Sequence, residues 1–257
     1  MTVREARPRV ALREMLRDKE PLLGTFVLLP RPEIVEMLSL AGFDAIVVDL
    51  EHGPIDVSDL PSLVAAAQGS GLQTVVRVPD AAPAMIGRAL DSGADGLLVP
   101  HVTSRVEAEA VVAAGSFPPV GERSINPYVR SNGYGIRAAA SPQPALIAML
   151  EGPDAIADLA EIAGVDGIDA VFVGPVDLAA SLGFDGDATH PEVSRLVAET
   201  ITAIVAGGGR ASVYAPTPEL AARWFDAGAS LVALSADSAM VLSGFAEYVR
   251  AVGRDTR

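Results

Sequence analysis

The stretch DAIVVDLEHGPID, residues 44–56, decides how the rest of the chain is interpreted. It begins with the apolar run AIVV, residues 45–48, which is typical of a strand buried on both faces. The run ends at Asp49, and Glu51, His52 and a Gly-Pro turn follow at once. Carboxylates are rarely buried without a partner or a task, so this strand end is the first candidate for a functional site.

The same pattern recurs along the chain. Short apolar runs are followed by segments with apolar residues at helical spacing, such as PEIVEMLSLAG, and several runs are preceded by a glycine-containing turn. The predicted strands cover residues 24–30, 44–50, 73–79, 95–101, 145–151, 169–175, 210–216 and 230–236.

This rhythm predicts an α/β fold of the (β/α)8 TIM-barrel type. We expect a single barrel domain over residues 1–257, with an N-terminal helix at about residues 3–17. An open, doubly wound sheet is the alternative, because it uses the same units. No Gly-x-Gly-x-x-Gly follows the first strand, which argues against a dinucleotide-binding version of that sheet.

Composition excludes several classes of function. The net charge of −14 and the pI of about 4.5 argue against nucleic acid and anionic membranes as partners. The chain has no cysteine, which excludes disulfides, thiolate nucleophiles and cysteine metal sites. It also lacks a signal-peptide-like apolar run and any stretch of ~18 apolar residues that could span a membrane. We therefore predict a soluble, cytoplasmic protein.

Charged residues or histidines follow several of the predicted strands. Active sites of (β/α)8 barrels are built at the carboxyl ends of the strands. Because charged residues or histidines follow so many successive strands, one shared site is favoured over a set of unrelated solvent-exposed positions. The residues concerned are Asp49, Glu51, His52, Arg77, His101, Glu151 and Asp177.

Glu151 and Asp177 are candidate metal ligands. Two carboxylates from neighbouring strand ends, in a chain without cysteine, suit a hard cation such as Mg²⁺ or Mn²⁺. The alternative is that each residue caps the helix that follows it. The spacing alone leaves both interpretations open.

His52 is the candidate acid–base residue, and a carboxylate on one ring nitrogen would orient it. We expect Asp49 to be that carboxylate, because it is the last inward-facing residue of its strand. We expect His101, which also ends a strand, to lack a nearby acid, and His190 has the position of a helix start. Arg77, in VVRVP, must meet an anion, a polar oxygen or a buried ion-pair partner such as Asp49.

Several segments together resemble the HpcH/HpaI aldolase and 2-dehydro-3-deoxyglucarate aldolase family. The segments are GFDAIVVDLEHGP, VVRVP, LDSGADGLLVPHV, FPPVGERS, IAMLEGPDAI and GIDAVFVGPVDLAASLG, and the resemblance runs from about residue 22 to about residue 240. It implies a (β/α)8 barrel, a hexamer of paired subunits that exchange their last helix, and metal-dependent class II pyruvate aldolase activity.

The resemblance implies roles for residues that bind metal and substrate. Glu151 and Asp177 match the metal ligands. Arg77 matches the arginine on the pyruvyl oxygens. The backbone of Gly174, Pro175, Val176 and Asp177 matches the segment that binds the pyruvate carboxylate.

Three further residues match positions near the reacting hydroxyl. His52 matches the acid–base histidine, Asp49 its supporting acid and Glu51 a nearby additional acid. Met149 stands where several aldolases of the family have glutamine, so the resemblance leaves the particular substrate open.

The chemistry itself limits the mechanism. Retro-aldol cleavage leaves a pyruvate enolate, which needs a lysine Schiff base or a divalent cation. Lys19, the only lysine, precedes the first predicted strand on the side away from the strand ends, which favours Mg²⁺ or Mn²⁺, with Co²⁺ as a third candidate. We predict that Arg77 supplies positive charge at the enolate oxygen and that His52 takes the proton from the C4 hydroxyl. The partners are then a small-molecule 2-oxo acid and an aldehyde.

Other functions remain as alternatives. The same enolate chemistry would serve an oxaloacetate decarboxylase or a citramalyl/malyl-CoA-type lyase, although no segment indicates a CoA site. A barrel that has lost catalysis and serves as a binding protein is the third possibility, and the retained polar strand ends argue against it.

Overall fold

Eight parallel strands form a closed barrel, in which each strand pairs with the next and the last pairs with the first. The computed structural model describes residues 10–18, 20–136 and 143–254. The predicted (β/α)8 fold is confirmed, and the open doubly wound sheet is wrong. The strands are β1 Leu22–Val27, β2 Ala45–Asp49, β3 Gln73–Arg77, β4 Gly96–Val99, β5 Ala145–Leu150, β6 Ala170–Val173, β7 Ala211–Ala215 and β8 Leu231–Ala236.

The helices surround this barrel. They are α1 Leu12–Met15, α2 Pro32–Ala41, α3 Leu60–Ser70, α4 Pro83–Asp91, α5 Arg105–Gly115, α6 Pro153–Ala157, α7 Leu159–Ala163, α8 Pro175–Ser181, α9 Pro191–Ala206, α10 Pro218–Asp226 and α11 Asp237–Ala251, with a 3₁₀-helix at Arg130–Gly135. Most have proline in the first turn, where the missing N–H costs no hydrogen bond and where the chain must turn from strand to helix. Within the described ranges, no helix is both long and apolar enough to cross a membrane.

The core has two layers. One fills the barrel with inward-facing side chains such as Val47, Val75 and Phe172, and the other lies between the strands and the surrounding helices. Leu12 and Leu16, within and just after α1, join the inner layer. Leu12 packs against Gly96 at the start of β4, so α1 covers the amino-terminal end of the barrel.

The N-terminal helix is therefore present in part. The prediction placed it at about residues 3–17, and the described part of this span contains the four helical residues of α1. Residues 1–9 and Lys19 lie outside the described residues, so the predicted position of that lysine relative to the barrel stays a prediction.

Asp237 joins the two strands that close the barrel. Its carboxylate accepts the N–H groups of Leu28 and Leu29, directly after β1, each at 3.0 Å, and that of Ser238 at 2.7 Å. Asp237 is the first residue of α11 and is 1% exposed. These hydrogen bonds therefore connect the carboxyl ends of β1 and β8.

Candidate active site

Neighbouring strands bring charged side chains to the carboxyl end of the barrel. Asp49 and Arg77 are the last residues of β2 and β3, and Glu151 directly follows β5. Because side chains alternate along a strand, Asp49 faces the same way as Ala45 and Val47, which pack inside the barrel. The sequence-predicted strand ends therefore meet at the mouth of the barrel.

Arg77 is buried among these carboxylates. Its Nε and Nη2 donate to the two oxygens of Asp49 at 2.9 and 2.7 Å, and its Nη1 lies 3.2 Å from Oε2 of Glu51. The guanidinium also lies over the ring of Phe26, 4.9 Å from the ring centroid. Arg77 is 7% exposed and Asp49 is 1% exposed. The buried ion pair, which the sequence left open as an alternative for Arg77, is therefore present.

Two opposing effects act on the pKa of Asp49. Burial alone raises the pKa of this carboxyl, but the hydrogen bonds and charge of Arg77, with the backbone N–H groups of Glu51 and His52, outweigh burial and lower it. Asp49 is thus an anion at neutral pH, and its bidentate contact fixes the plane of the guanidinium.

The predicted contact between Asp49 and the imidazole of His52 is wrong. Oδ1 of Asp49 accepts hydrogen bonds from the backbone N–H groups of Glu51 at 3.0 Å and His52 at 3.4 Å. Both carboxylate oxygens of Asp49 also accept hydrogen bonds from Arg77. The chain turns sharply after β2, which points the His52 ring outward with its side chain 61% exposed. Its Nε2 lies 3.7 Å from Oε2 of Glu51, so Glu51 is the acid beside this ring.

Glu151 contacts a residue that sequence reasoning set aside. Its Oε2 accepts the backbone N–H of His101 at 3.0 Å and lies 2.6 Å from Nδ1 of the same residue. Nε2 of His101 lies 3.2 Å from Oε1 of Glu51. The expectation that His101 has no nearby acid is therefore wrong. The adjacency of β4 and β5 could have revealed the contact, since both strand ends carry a polar residue.

Charge accumulates around Glu151. Burial raises the pKa of its carboxyl and the charges of Asp177 and Glu51 raise it further, against the opposing effect of His101. The charge of Asp177 is thus one cause of the raised pKa of Glu151. A cation bound by both carboxylates would oppose this repulsion.

Neither predicted ligand caps a helix. The N-caps of α6 and α8 are Gly152 and Gly174, and neither helix has a side-chain cap. Asp177 lies in the first turn of α8 and is exposed, while Glu151 is 9% exposed and turned toward His101. The cap interpretation is therefore wrong for both carboxylates.

The turn from β6 into α8 packs tightly against Glu151. A Cβ at Gly174 would lie 2.8 Å from Cε of Met149 and 3.0 Å from Cγ of Glu151. A side chain at this position would therefore displace Met149 or Glu151. Met149 itself is 3% exposed inside the barrel.

A divalent cation fits this donor set. The charges of Asp49, Glu51 and Glu151 act on one arginine, and the charge of Asp177 acts on Glu151, so negative charge is in excess at the site. Among the described residues, no group of three or more acidic, histidine or cysteine side chains is arranged to hold a metal ion alone. Two carboxylates would therefore share the ion with water or substrate oxygens, which is how Mg²⁺ is commonly bound.

We predict that Asp49→Asn destabilises the fold by about 3–5 kcal/mol, because Arg77 would lose its buried partner. Because the pKa of Asp49 is lowered, the stability of the fold should also depend on pH. The stability that this group contributes is full above the ordinary pKa of aspartate, about 3.9, and is lost as the pH falls through the lowered value. Urea unfolding from about pH 6 to pH 3 measures both effects.

The exposed i,i+4 pair of Arg105 and Glu109 provides the control. Glu109→Gln should change stability little, because exposed ion pairs contribute little. Parallel losses of stability below about pH 4 in wild type and Asp49→Asn would contradict the assignment of this pH dependence to Asp49.

Known proteins resemble the whole barrel. The chain is 35% identical over 233 residues to the 2-dehydro-3,6-dideoxy-6-sulfogluconate aldolase of Pseudomonas putida, covering 89% of this chain and 91% of that protein. It is 36% identical over 226 residues to the 5-keto-4-deoxy-D-glucarate aldolase of Escherichia coli, covering 86% and 88%.

A crystal structure from Burkholderia cenocepacia, described as a HpcH/HpaI aldolase/citrate lyase family protein, superposes with a TM-score of 0.89 at 34% identity, covering 95% of this chain and 99% of that one. The sequence profile of the HpcH/HpaI aldolase/citrate lyase family matches residues 22–243. The chain therefore belongs to the HpcH/HpaI aldolase/citrate lyase family, as its sequence motifs predicted.

Proposed function

We propose that this protein is a divalent-metal-dependent, class II pyruvate aldolase that reversibly cleaves a 4-hydroxy-2-oxo acid to pyruvate and an aldehyde. The observation that carries the proposal is the placement of Glu151, close to the charge of Asp177, at the carboxyl ends of strands that also carry Arg77. The names of the two relatives, both aldolases of oxo acids, support the same reaction.

The reaction determines what the site must supply. Breaking the C3–C4 bond leaves negative charge on the enolate of pyruvate, and a bound divalent cation would stabilise it as a Lewis acid. A Schiff base would need a lysine at the site, and the chain has only Lys19, which precedes β1 in the sequence. We propose Mg²⁺ or Mn²⁺ as the ion, with Co²⁺ as a third candidate, held by Glu151 and Asp177.

The first turn of α8 is suited to bind the substrate carboxylate. Backbone N–H groups in a first helical turn have no partner within the helix, and the helix dipole favours an anion there. Gly174 donates to Leu150 at 2.8 Å and Pro175 has no N–H. The available donors are therefore the N–H groups of Val176 and Asp177.

Arg77 provides fixed positive charge beside the carboxylates. The guanidinium donates two hydrogen bonds to Asp49, and its Nη1 lies 3.2 Å from Oε2 of Glu51. We propose that N–H groups of Arg77 that do not donate to Asp49 bind the oxygens of a substrate. Because the bidentate contact with Asp49 fixes the guanidinium, these donors need no reorganisation when charge develops on the substrate.

His52 is the proposed acid–base residue for the C4 hydroxyl. Its ring lies at the rim of the site, beside Glu51 and open to solvent, where the aldehyde half of the substrate would enter. In this proposal the ring takes the proton from the C4 hydroxyl in cleavage and returns it during aldol addition.

We also propose that the protein is a homo-oligomer. Leu242, Phe245, Tyr248 and Val252 form a stripe along and just beyond α11 and are 69%, 67%, 81% and 74% exposed. A second copy would cover this face, and the family resemblance implies a hexamer of paired subunits. Sedimentation velocity tests this assembly, and Phe245→Glu should shift the protein to smaller species. A wild-type monomer at micromolar concentration would contradict the proposal.

We predict that activity depends on a removable metal. EDTA should abolish cleavage of a 4-hydroxy-2-oxo acid, and Mg²⁺, Mn²⁺ or Co²⁺ should restore it, because two carboxylates hold such an ion only loosely. Glu151→Gln and Asp177→Asn should weaken Mn²⁺ binding by more than about 100-fold, since each loses a charged ligand. Calorimetric titration with Mn²⁺ measures the affinity.

Asp154→Asn is the matched control for these variants, because Asp154 is exposed in the first turn of α6. Its affinity for Mn²⁺ should equal that of the wild type. Normal Mn²⁺ binding by both Glu151→Gln and Asp177→Asn, or full activity after exhaustive dialysis against EDTA, would refute the metal site.

We predict that His52→Ala lowers kcat for cleavage by about 10²–10⁴, the usual contribution of a positioned acid–base group. Its affinity for Mn²⁺ should not change, because the proposal has the His52 ring contact the C4 hydroxyl of the substrate and not the ion. His190→Ala is the control, since that ring caps α9 and stacks on Phe184. If His52→Ala turns over at the wild-type rate, His52 has no part in proton transfer.

A further inference from the structure

We propose that His101 is a positioning residue that holds the metal ligand Glu151 in the orientation that presents its free oxygen to the cation. This inference rests on the proposed function, because it takes Glu151 as a ligand. The resemblance to the family assigns no role to His101. The inference is based on contacts among residues that follow β2, β4 and β5.

One residue supplies two contacts to one oxygen of Glu151. The backbone N–H of His101 donates to Oε2 at 3.0 Å, and Nδ1 of its ring lies 2.6 Å from the same atom. Within the described part of the chain, Oε1 of Glu151 has no hydrogen bond or ion-pair contact. The carboxylate is therefore fixed through one oxygen and open at the other.

The ring belongs to a side chain that is 66% exposed, and it has a second contact on its far side. Nε2 of His101 lies 3.2 Å from Oε1 of Glu51, and Oε2 of Glu51 lies 3.2 Å from Nη1 of Arg77. Arg77 is in turn held by Asp49. A continuous chain of charged and polar contacts thus runs from the end of β2 to the end of β5 and terminates on the proposed ligand.

The backbone of His101 has a conformation that requires a reason. Its φ of 57° lies in the left-handed region, which is unfavourable for an L residue other than glycine. His101 lies two residues beyond β4, whose last paired residue is Val99 opposite Ala148, and the N–H of Val102 donates to the carbonyl of Met149. In this conformation the N–H of His101 donates to Glu151 and the ring lies beside the same carboxylate. Left-handed backbone at residues other than glycine clusters at sites where geometry serves function.

Outer partners of metal ligands control affinity by fixing ligand orientation. Loss of such a partner typically weakens metal binding by about 10–100-fold, although the partner never touches the ion. His101→Gly is the most informative variant, because it removes the ring, keeps the backbone N–H and suits the positive φ. His101→Asn keeps both tolerance of this φ and a side-chain donor.

The test measures the Kd for Mn²⁺ and the melting temperature of each variant. His101→Gly should bind Mn²⁺ about 10–100-fold more weakly while melting at or above the wild-type temperature. His101→Asn should recover part of the affinity, which a purely structural role would not produce. Asp185→Gly is the matched control, since Asp185 is an exposed non-glycine residue with a φ of 48°. Its affinity should equal that of the wild type.

The outcomes separate this inference from the proposed function. If the wild type binds Mn²⁺ and His101→Gly binds it equally well, Glu151 needs no positioning and the inference is wrong. Tighter binding by His101→Gly would also overturn it, because the ring would then compete with the ion. If the wild type itself does not bind Mn²⁺, the proposed metal site fails, whatever the histidine does.

Discussion

The contact between Arg77 and Asp49 is the interaction on which the site depends. Two charges, each nearly inaccessible to water, meet in a bidentate geometry at the ends of adjacent strands. Burying an ion pair is costly, and such pairs persist where geometry and further hydrogen bonds compensate for the lost hydration. Here the compensation includes Glu51, the backbone of the turn after β2 and the ring of Phe26. The arginine therefore has one orientation, and the carboxylates around it have fixed places.

The excess of carboxylates over this one arginine gives the site its chemistry. Burial raises the pKa of the Glu151 carboxyl, and the charges of Asp177 and Glu51 raise it further, against the opposing effect of His101. A divalent ion would relieve the repulsion and would place positive charge where an enolate develops. At the same end of the barrel, Asp237 connects the residues after β1 to the start of α11.

Most of this arrangement could be predicted from the sequence, because it follows from local patterns. Apolar runs and helical periodicities predict the eight strands, and the rule that barrel sites lie at strand carboxyl ends brings Asp49, Arg77 and Glu151 together. The predicted partner of His52 was wrong for a physical reason. Spacing in the sequence suggests Asp49 as this partner. The turn after β2 directs the His52 ring outward, however, and the Asp49 carboxylate accepts hydrogen bonds from Arg77 instead. The role of His101 was missed because its partner Glu151 lies 50 residues away in the sequence, so that only the pairing of β4 with β5 indicates the contact. Its left-handed backbone has no sequence signature.

The most direct measurement of the central claim is exchange of the methyl protons of pyruvate into D₂O, followed by proton NMR. Exchange reports enolate formation without requiring the identity of the aldehyde. We predict that the wild type with Mg²⁺ removes the methyl signal, that EDTA stops the exchange, and that Glu151→Gln shows none under either condition. Exchange that continues at the same rate in EDTA, or that fails with every divalent ion tested, would contradict an active site built on a metal held by these strand-end carboxylates.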